Sequence, residues 1–217
     1  MKTIRIKGTG KVSQKPDLIT VSMQLSSEDK AYDKATEKAA EKADLLNRAV
    51  GGIGFSDGSV KTVGFHVRTK YESRKTENGN YENVFCGYVC QQALKIEFDF
   101  DTARLAEVLS ALSECMAAPE LSVAFSVKDP DALRKELLRS AAQNAREKAE
   151  ILCAASGVRL GELLSIDCER GEGDAVSDTE YTVDSRMAKL TAPLCAVNME
   201  PDDVRASDAA VFVWEIL

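Results

Sequence analysis

The chain has 217 residues, 44% hydrophobic and 29% charged, with a net charge of −7 at pH 7. This length suits one sizeable domain or two small ones, and it buries enough surface to fold without a disulfide or a metal. The acidic balance argues against non-specific nucleic-acid binding, which needs Lys and Arg to neutralise phosphates. No apolar run reaches the ~20 residues of a membrane-crossing helix.

The N-terminal Met1-Lys2-Thr3-Ile4-Arg5-Ile6-Lys7 alternates charged and apolar residues and reads as a strand. It lacks the continuous apolar core of a signal peptide. A cytoplasmic location is therefore expected, with an exported mature form that has lost its leader as the alternative. The glycines and proline of "GTGKVSQKPD" (8–17) read as a connection. A second strand then runs from Leu18 to Leu25, with Ile19, Val21, Met23 and Leu25 on one face.

A long helix follows, carrying Ala31, Ala35, Ala39, Ala43, Leu46, Val50 and Ile53 at steps of three or four. Ser26 or Ser27 is the expected N-cap, and Gly51-Gly52 the expected end. A hairpin comes next. Its first arm is Val63 to Tyr71, Asn78-Gly79 is its turn signal, and its return arm spans Tyr81 to Phe100. That arm far exceeds the usual five or six residues, so a bulge or bend is expected near Gly87. A second helix starts near Asp101, carries Leu105, Val108, Leu109 and Leu112, and stops before Pro119. Leu121, Val123, Phe125 and Val127 form another strand.

The third helix has Asp129 as N-cap, Pro130 at its first position and Gly157 as its left-handed terminator. Leu133, Leu137, Ala141, Ala145, Leu152 and Ala155 make its apolar arc. Leu163 to Cys168 reads as a strand. The acidic stretch 169–192, poor in large apolar residues, is expected to be a mobile loop. Strands Leu194 to Met199 and Ala209 to Ile216 close the chain. The last is apolar on both faces, so it must be covered on both sides or help form a subunit contact.

The order from residue 18 to 128 is β-α-β-β-α-β. The expected fold is α+β. A ferredoxin-like βαββαβ subdomain spans 18–128. A second α/β sandwich unit, 1–17 with 129–217, is built from the N-terminal strand and the C-terminal helix and strands.

Several stretches, taken in order, resemble one family over nearly the whole length. They are "IKGTGKVSQKPD" (6–17), Thr62 with Tyr71, Gly87-Tyr88, "AREKAEILCAASGVRLGE" (145–162) and "VRASDAAVFVWEI" (204–216). The chain resembles the SIMPL family, also called DUF541. The resemblance implies a bacterial protein without an assigned reaction, linked to stress tolerance and tending to form large, ring-like oligomers. It also implies that the joint around Gly157 and Gly161 serves packing, not catalysis. It carries over no catalytic residue. Close relatives are mostly exported, whereas this sequence shows no leader and has six cysteines.

No residue qualifies from sequence as catalytic, cofactor-binding or metal-ligating, and no cofactor is expected. His66 is the only histidine, and neither HExxH nor Cys/His zinc spacing is present. Gly8-x-Gly10 is followed by strand, so it reads as a turn and not as a dinucleotide loop. Asp174, Asp178, Glu180 and Asp184 lack EF-hand spacing, and no GxSxG elbow occurs. Lys38-Glu41 and Arg146-Glu150 read as solvated helix pairs. Among the cysteines, Cys86 and Cys90 lie roughly 13 Å apart along a strand, too far for a disulfide. All six are expected to be free.

The functional expectation is a non-enzymatic, self-assembling protein, a homo-oligomer binding a protein or small ligand, without nucleic acid and without a membrane span. An enzyme with a site between its subdomains, or an interaction adaptor, is the alternative.

Overall fold

The structure, a computed structural model, describes residues 2–75, 80–168, 176–179, 181–183 and 200–217. The elements in chain order are β1 (Thr3–Gln14), β2 (Leu18–Asp29), α1 (Tyr32–Gly52), β3 (Lys61–Lys75), β4 (Tyr81–Asp99), α2 (Thr102–Glu114), β5 (Glu120–Ser126), α3 (Pro130–Ala155), β6 (Leu160–Asp167), β7 (Tyr181–Val183) and β8 (Val204–Ile216). Helices and antiparallel strands are mixed, as an α+β fold requires. The chain divides into two compact units. One is Met1–Asp17, Phe125–Thr179 and Pro201–Leu217, and the other is Leu18–Ala124 and Glu180–Glu200.

In the first unit, β1, β8 and β6 form a sheet in that order. β1 pairs with β8 over twelve residues, from Thr3↔Glu215 to Gln14↔Val204. The expected connection at 8–17 is therefore strand as far as Gln14. Its glycines serve a close approach, not a turn. A Cβ on Gly8 would overlap the carbonyl oxygen of Ala141, and one on Gly10 that of Leu137. α3 lies so near β1 that only a bare backbone fits between them.

α3 forms where its local signals place it. The Asp129 side chain accepts from the Ala132 N–H, Pro130 opens the helix, and Gly157 adopts φ 70°. Val158 N–H donates to Cys153 O and Gly157 N–H to Ala154 O, a Schellman closure. Its buried row is Leu133, Leu137, Ala141, Ala145, Ala149 and Cys153, at strict four-residue steps. Leu152 and Ala155, expected inside, are exposed, because the row drifts toward Ala149 and Cys153. Ile6, Phe212 and Trp214 meet Ala145 and Ala149, and Phe212 stacks on Trp214 at 5.6 Å. β8 is the central strand of this sheet. Its large aromatics are covered by α3, so the chain itself buries one of the two apolar faces of this strand, while Val211 and Val213 on the other stay half-buried.

In the second unit the sheet order is β3-β4-β2-β5-β7. α1 joins β2 to β3 and α2 joins β4 to β5, and in each case a strand lies between the pair joined. β7, a short strand inside the stretch expected to be loop, pairs with β5 through Leu121↔Val183 and Val123↔Tyr181. Most of 169–192, the Asn78-Gly79 turn, the 194–199 strand and Cys195 lie outside the described residues. The core is Ile19, Val21, Met23 and Leu25 of β2 and Leu94 and Ile96 of β4, with Ala35, Ala39, Leu46 and Val50 of α1 and Leu105, Val108, Leu109 and Leu112 of α2. Each buried Leu or Ile contributes about 2 kcal/mol by leaving water.

The expected α1 cap at Ser26 or Ser27 is not used, because β2 continues to Asp29 and the N-cap is Ala31. The Ser27 hydroxyl instead donates to Ala35 O. Gly54, at φ 89°, rather than Gly51-Gly52, provides the left-handed terminator, and Phe55 N–H donates to Val50 O. Phe55 then packs edge-on to Phe98 at 5.7 Å and under the Arg104 guanidinium at 4.3 Å. Asp101 caps α2 through the Ala103 and Arg104 N–H groups. The expected irregularity in the long arm is a bulge. Lys70 pairs with Gly87 and Tyr71 with Phe85, which leaves Cys86 unpaired. Gly87 sits at φ 140°, where a Cβ would overlap Asp29 O.

Candidate functional site

The three-stranded sheet has two edges. Along β1, α3 presents Ser140, Asn144 and Lys148 at four-residue spacing, one above another. Lys148 Nζ donates to Lys7 O (3.2 Å), Asn144 Oδ1 accepts from Thr9 N–H (3.1 Å), and Ser140 Oγ accepts from Lys11 N–H (3.4 Å). Three of the backbone groups along the middle of this edge are thus occupied by side chains and withheld from another strand.

β6 has no such cover. It pairs with β8 from Leu160↔Ile216 to Asp167↔Val211, and no strand of the described residues lies on its other side. Leu160 is anchored in the core. Beyond it, Leu163, Leu164 and Ile166 are 46%, 41% and 57% exposed. Among the described residues, two register shifts and the carboxylates of Glu162 and Asp167 are what blunts this edge. An open strand edge beside exposed aliphatic side chains is the best-defined interaction surface of this unit.

In the second unit, a shallow groove of about 500 Å³ crosses the open face of the sheet. It is floored by Ser22, Gln24, Ala93 and Ser122, with Glu120 and Thr182 at one side. The hydroxyl, amide and carboxylate groups among these can hydrogen-bond a ligand. Among the described residues, its lining holds no histidine, cysteine or lysine.

His66 is exposed on β3 opposite Gln91. Among the described residues, no group of His, Cys, Asp and Glu is placed to hold a metal ion. Asp178 is exposed, while Asp174, Glu180 and Asp184 lie outside the described residues. Cys86, Cys90, Cys115, Cys153 and Cys168 are free thiols. Burial pushes the Cys90 thiol up, and a hydrogen bond with Ser27 partly opposes this, so Cys90 is a poor nucleophile.

Arg146 pairs with Glu150 at 2.9 Å on the exposed face of α3, as its spacing suggests. Lys38 does not use Glu41. It reaches Asp29 at 2.6 Å and Glu28 O at 3.3 Å, at the end of β2. Sequence reasoning weighed Lys38 only within its own helix and missed this partner across the turn. Lys38, followed by the Ala31 N–H, holds the Asp29 carboxyl down at about 2. Lys70 is raised by its bond with Glu28 at 2.7 Å.

No helix among the described residues is long and apolar enough to cross a membrane. No match to a curated protein is found. The family model SIMPL, described as a protein of unknown function (DUF541), matches residues 4–212. That span takes in β1 with its glycines, the α3 row and its Gly157 closure, and β8 as far as Phe212. The chain belongs to the SIMPL (DUF541) family.

Proposed function

We propose that this chain is a non-enzymatic, self-assembling protein whose role is exercised by the surface that its copies form together, with a protein or small ligand as the bound partner. The observation that carries this reading is the open edge of β6, with Leu163, Leu164 and Ile166 exposed beside unpaired backbone. Pairing that edge with a second copy would remove apolar surface from water at about 25 cal/mol per Å² and satisfy backbone groups at the same time. The perturbed groups agree with a role outside catalysis. Asp29 and Lys70 answer to ion pairs on the surface, and Cys90 and Tyr181 to burial. None of them stands in the groove. The link to stress tolerance that the resemblance implies belongs to the same reading.

Light scattering coupled to size exclusion at micromolar concentration tests the assembly. A multiple of 23.6 kDa is expected, and a mass equal to the single 23.6 kDa chain across the peak would overturn it. A deletion strain that grows like its parent under heat and peroxide would remove the stress role.

A further inference from the structure

We propose that the ribbon formed by β3 and β4 beyond the end of β2 is a second, separate contact between copies of this chain. In it, β4 of one copy pairs antiparallel with β4 of another across a two-fold axis at Asn83. This rests on the self-assembly reading and adds to it a contact made by the other unit.

β2 and β4 stop pairing at Asp29↔Tyr88, while β3 and β4 continue through Tyr71↔Phe85, Glu72↔Val84, Ser73↔Asn83, Arg74↔Glu82 and Lys75↔Tyr81. From Tyr81 to Gly87, β4 has β3 on one side and no strand of the described residues on the other. A two-stranded ribbon is marginal by itself in water, and a free edge invites pairing. The backbone carbonyl of Asp29 lies against Gly87, so the available edge is Tyr81 to Phe85.

Its side chains make it a poor solvent face. Tyr71, Tyr81 and Phe85 share one face and are 57%, 73% and 45% exposed. Together they leave roughly 350 Å² of aromatic surface per copy in water. The smallest specific interfaces bury about 500–600 Å² per partner, so these rings supply more than half of what is needed. The strip continues through edge-to-face contacts, Tyr71 to Phe85 at 5.7 Å, Phe85 to Tyr88 at 5.4 Å and Tyr88 to Tyr32 at 5.6 Å.

The segment is complementary to itself. With Asn83 on the axis, Tyr81 faces Phe85 of the partner subunit, and Glu82 faces Val84 of the partner subunit. One row across the joined sheet then reads Tyr71, Phe85, the partner subunit's Tyr81 and the partner subunit's Lys75. Three rings lie side by side, with an ammonium group next to the last. On the opposite face no like charges stand directly opposite across the seam. Such a contact is isologous, as a two-fold requires.

The test uses the full chain. In an antiparallel pair on the axis, the two Asn83 Cα atoms lie about 4.5–5.5 Å apart, within the span of a disulfide. Asn83→Cys should convert largely to covalent dimer under mild oxidation on a non-reducing gel. The unmodified chain and Ser73→Cys, one strand further from the axis, set the background. Light scattering gives the second reading. Leu164→Lys with Ile166→Lys, which disables the β6 edge, should leave a particle of twice the 23.6 kDa chain mass. Adding Asn83→Lys, which faces its own charge across the axis, should halve that mass. The ribbon contact is overturned if Asn83→Cys cross-links no better than background, or if the β6 variant is already a single chain; in both cases an oligomeric parent protein leaves self-assembly standing. A parent protein that is a single chain throughout overturns both.

Discussion

β1 and β6 are the two edges of one sheet, and they are finished in opposite ways. β1 is sealed by a row of three polar side chains from α3, whereas β6 leaves aliphatic side chains and a backbone edge in water. The difference comes from the helix that lies over them. α3 approaches β1 at glycine distance through Leu137, Ala141 and Ala145, so residues one position before or three after the buried row reach the strand's outer edge. β6 lies two strands away and receives no such row. In the second unit the same four-residue spacing ties a helix to a strand end. Lys38 and Lys42, four apart on α1, donate to Glu28 O at 3.3 Å and Ser26 O at 2.5 Å near the end of β2, an interior strand of its sheet. A packed helix seals the strand edge beside it and leaves a remote edge available for another copy.

The largest expected effect comes from forcing the sealed edge apart. Gly10→Val places two methyl groups and a β-carbon where Leu137 O already stands. Backbone on both sides cannot yield as a flexible side chain would. A loss of about 3 kcal/mol or more is expected, above the ordinary cost of overpacking. Urea unfolding followed by tryptophan fluorescence would measure it, since Trp214 reports on the same core. An unchanged midpoint would mean that α3 does not hold this close approach in solution. Trp214→Glu should likewise unfold the unit rather than dissociate a folded chain, because Trp214 lies in the chain's own core.

A smaller effect is expected from unsealing β1 without disturbing the core. Asn144→Ala leaves the Thr9 N–H without its acceptor and should cost about 1 kcal/mol. It should also raise concentration-dependent association, because the edge becomes a template. Leu164→Lys with Ile166→Lys offers the contrast, with stability held within about 0.5 kcal/mol and association reduced. If both variants move association in the same direction, the sealed and open edges are not distinct.

Local signals make the bounds of α3 legible in the sequence alone. Asp129, Pro130 and Gly157 act within one turn of the residues they cap, so neighbouring sequence suffices to read them. Gly87 was readable for a similar reason, since a strand of nineteen residues must be relieved somewhere. Gly8 and Gly10 were misread because their cause is remote: they answer to a helix more than 120 residues further on. The sealing row was present as Ser140, Asn144 and Lys148 at regular spacing, but only sheet order shows which edge it meets. β6 could be recognised as a strand, yet its place at an edge is a matter of pairing that no stretch of eight residues contains. β7 was missed because three residues in a polar, acidic stretch carry no periodicity.

The smallest effect tests the device at β2. Lys38 has two duties there, donating to Glu28 O and holding Asp29 ionised, and the second can be titrated. The Asp29 carboxyl falls from its usual 3.8 to about 2, first through the Lys38 hydrogen bond and then through the Ala31 N–H, against an opposing cost of desolvation. A carboxyl whose folded value is depressed binds its proton more readily in the unfolded chain. It therefore stabilises the fold above about pH 3.8, and this contribution disappears as pH falls toward 2. The site is solvated, so the effect is modest. Asn at this position keeps an acceptor for the Ala31 N–H and removes only the charge. Urea midpoints of the parent protein and Asp29→Asn should differ most near pH 5, converge between pH 4 and pH 2, and coincide below. Other carboxylates titrate in the same range in both proteins, so the difference between the two curves isolates this one. Parallel curves across that window would show that Lys38 and Asp29 are not coupled in solution, and that the end of β2 is held to α1 by Lys42 alone.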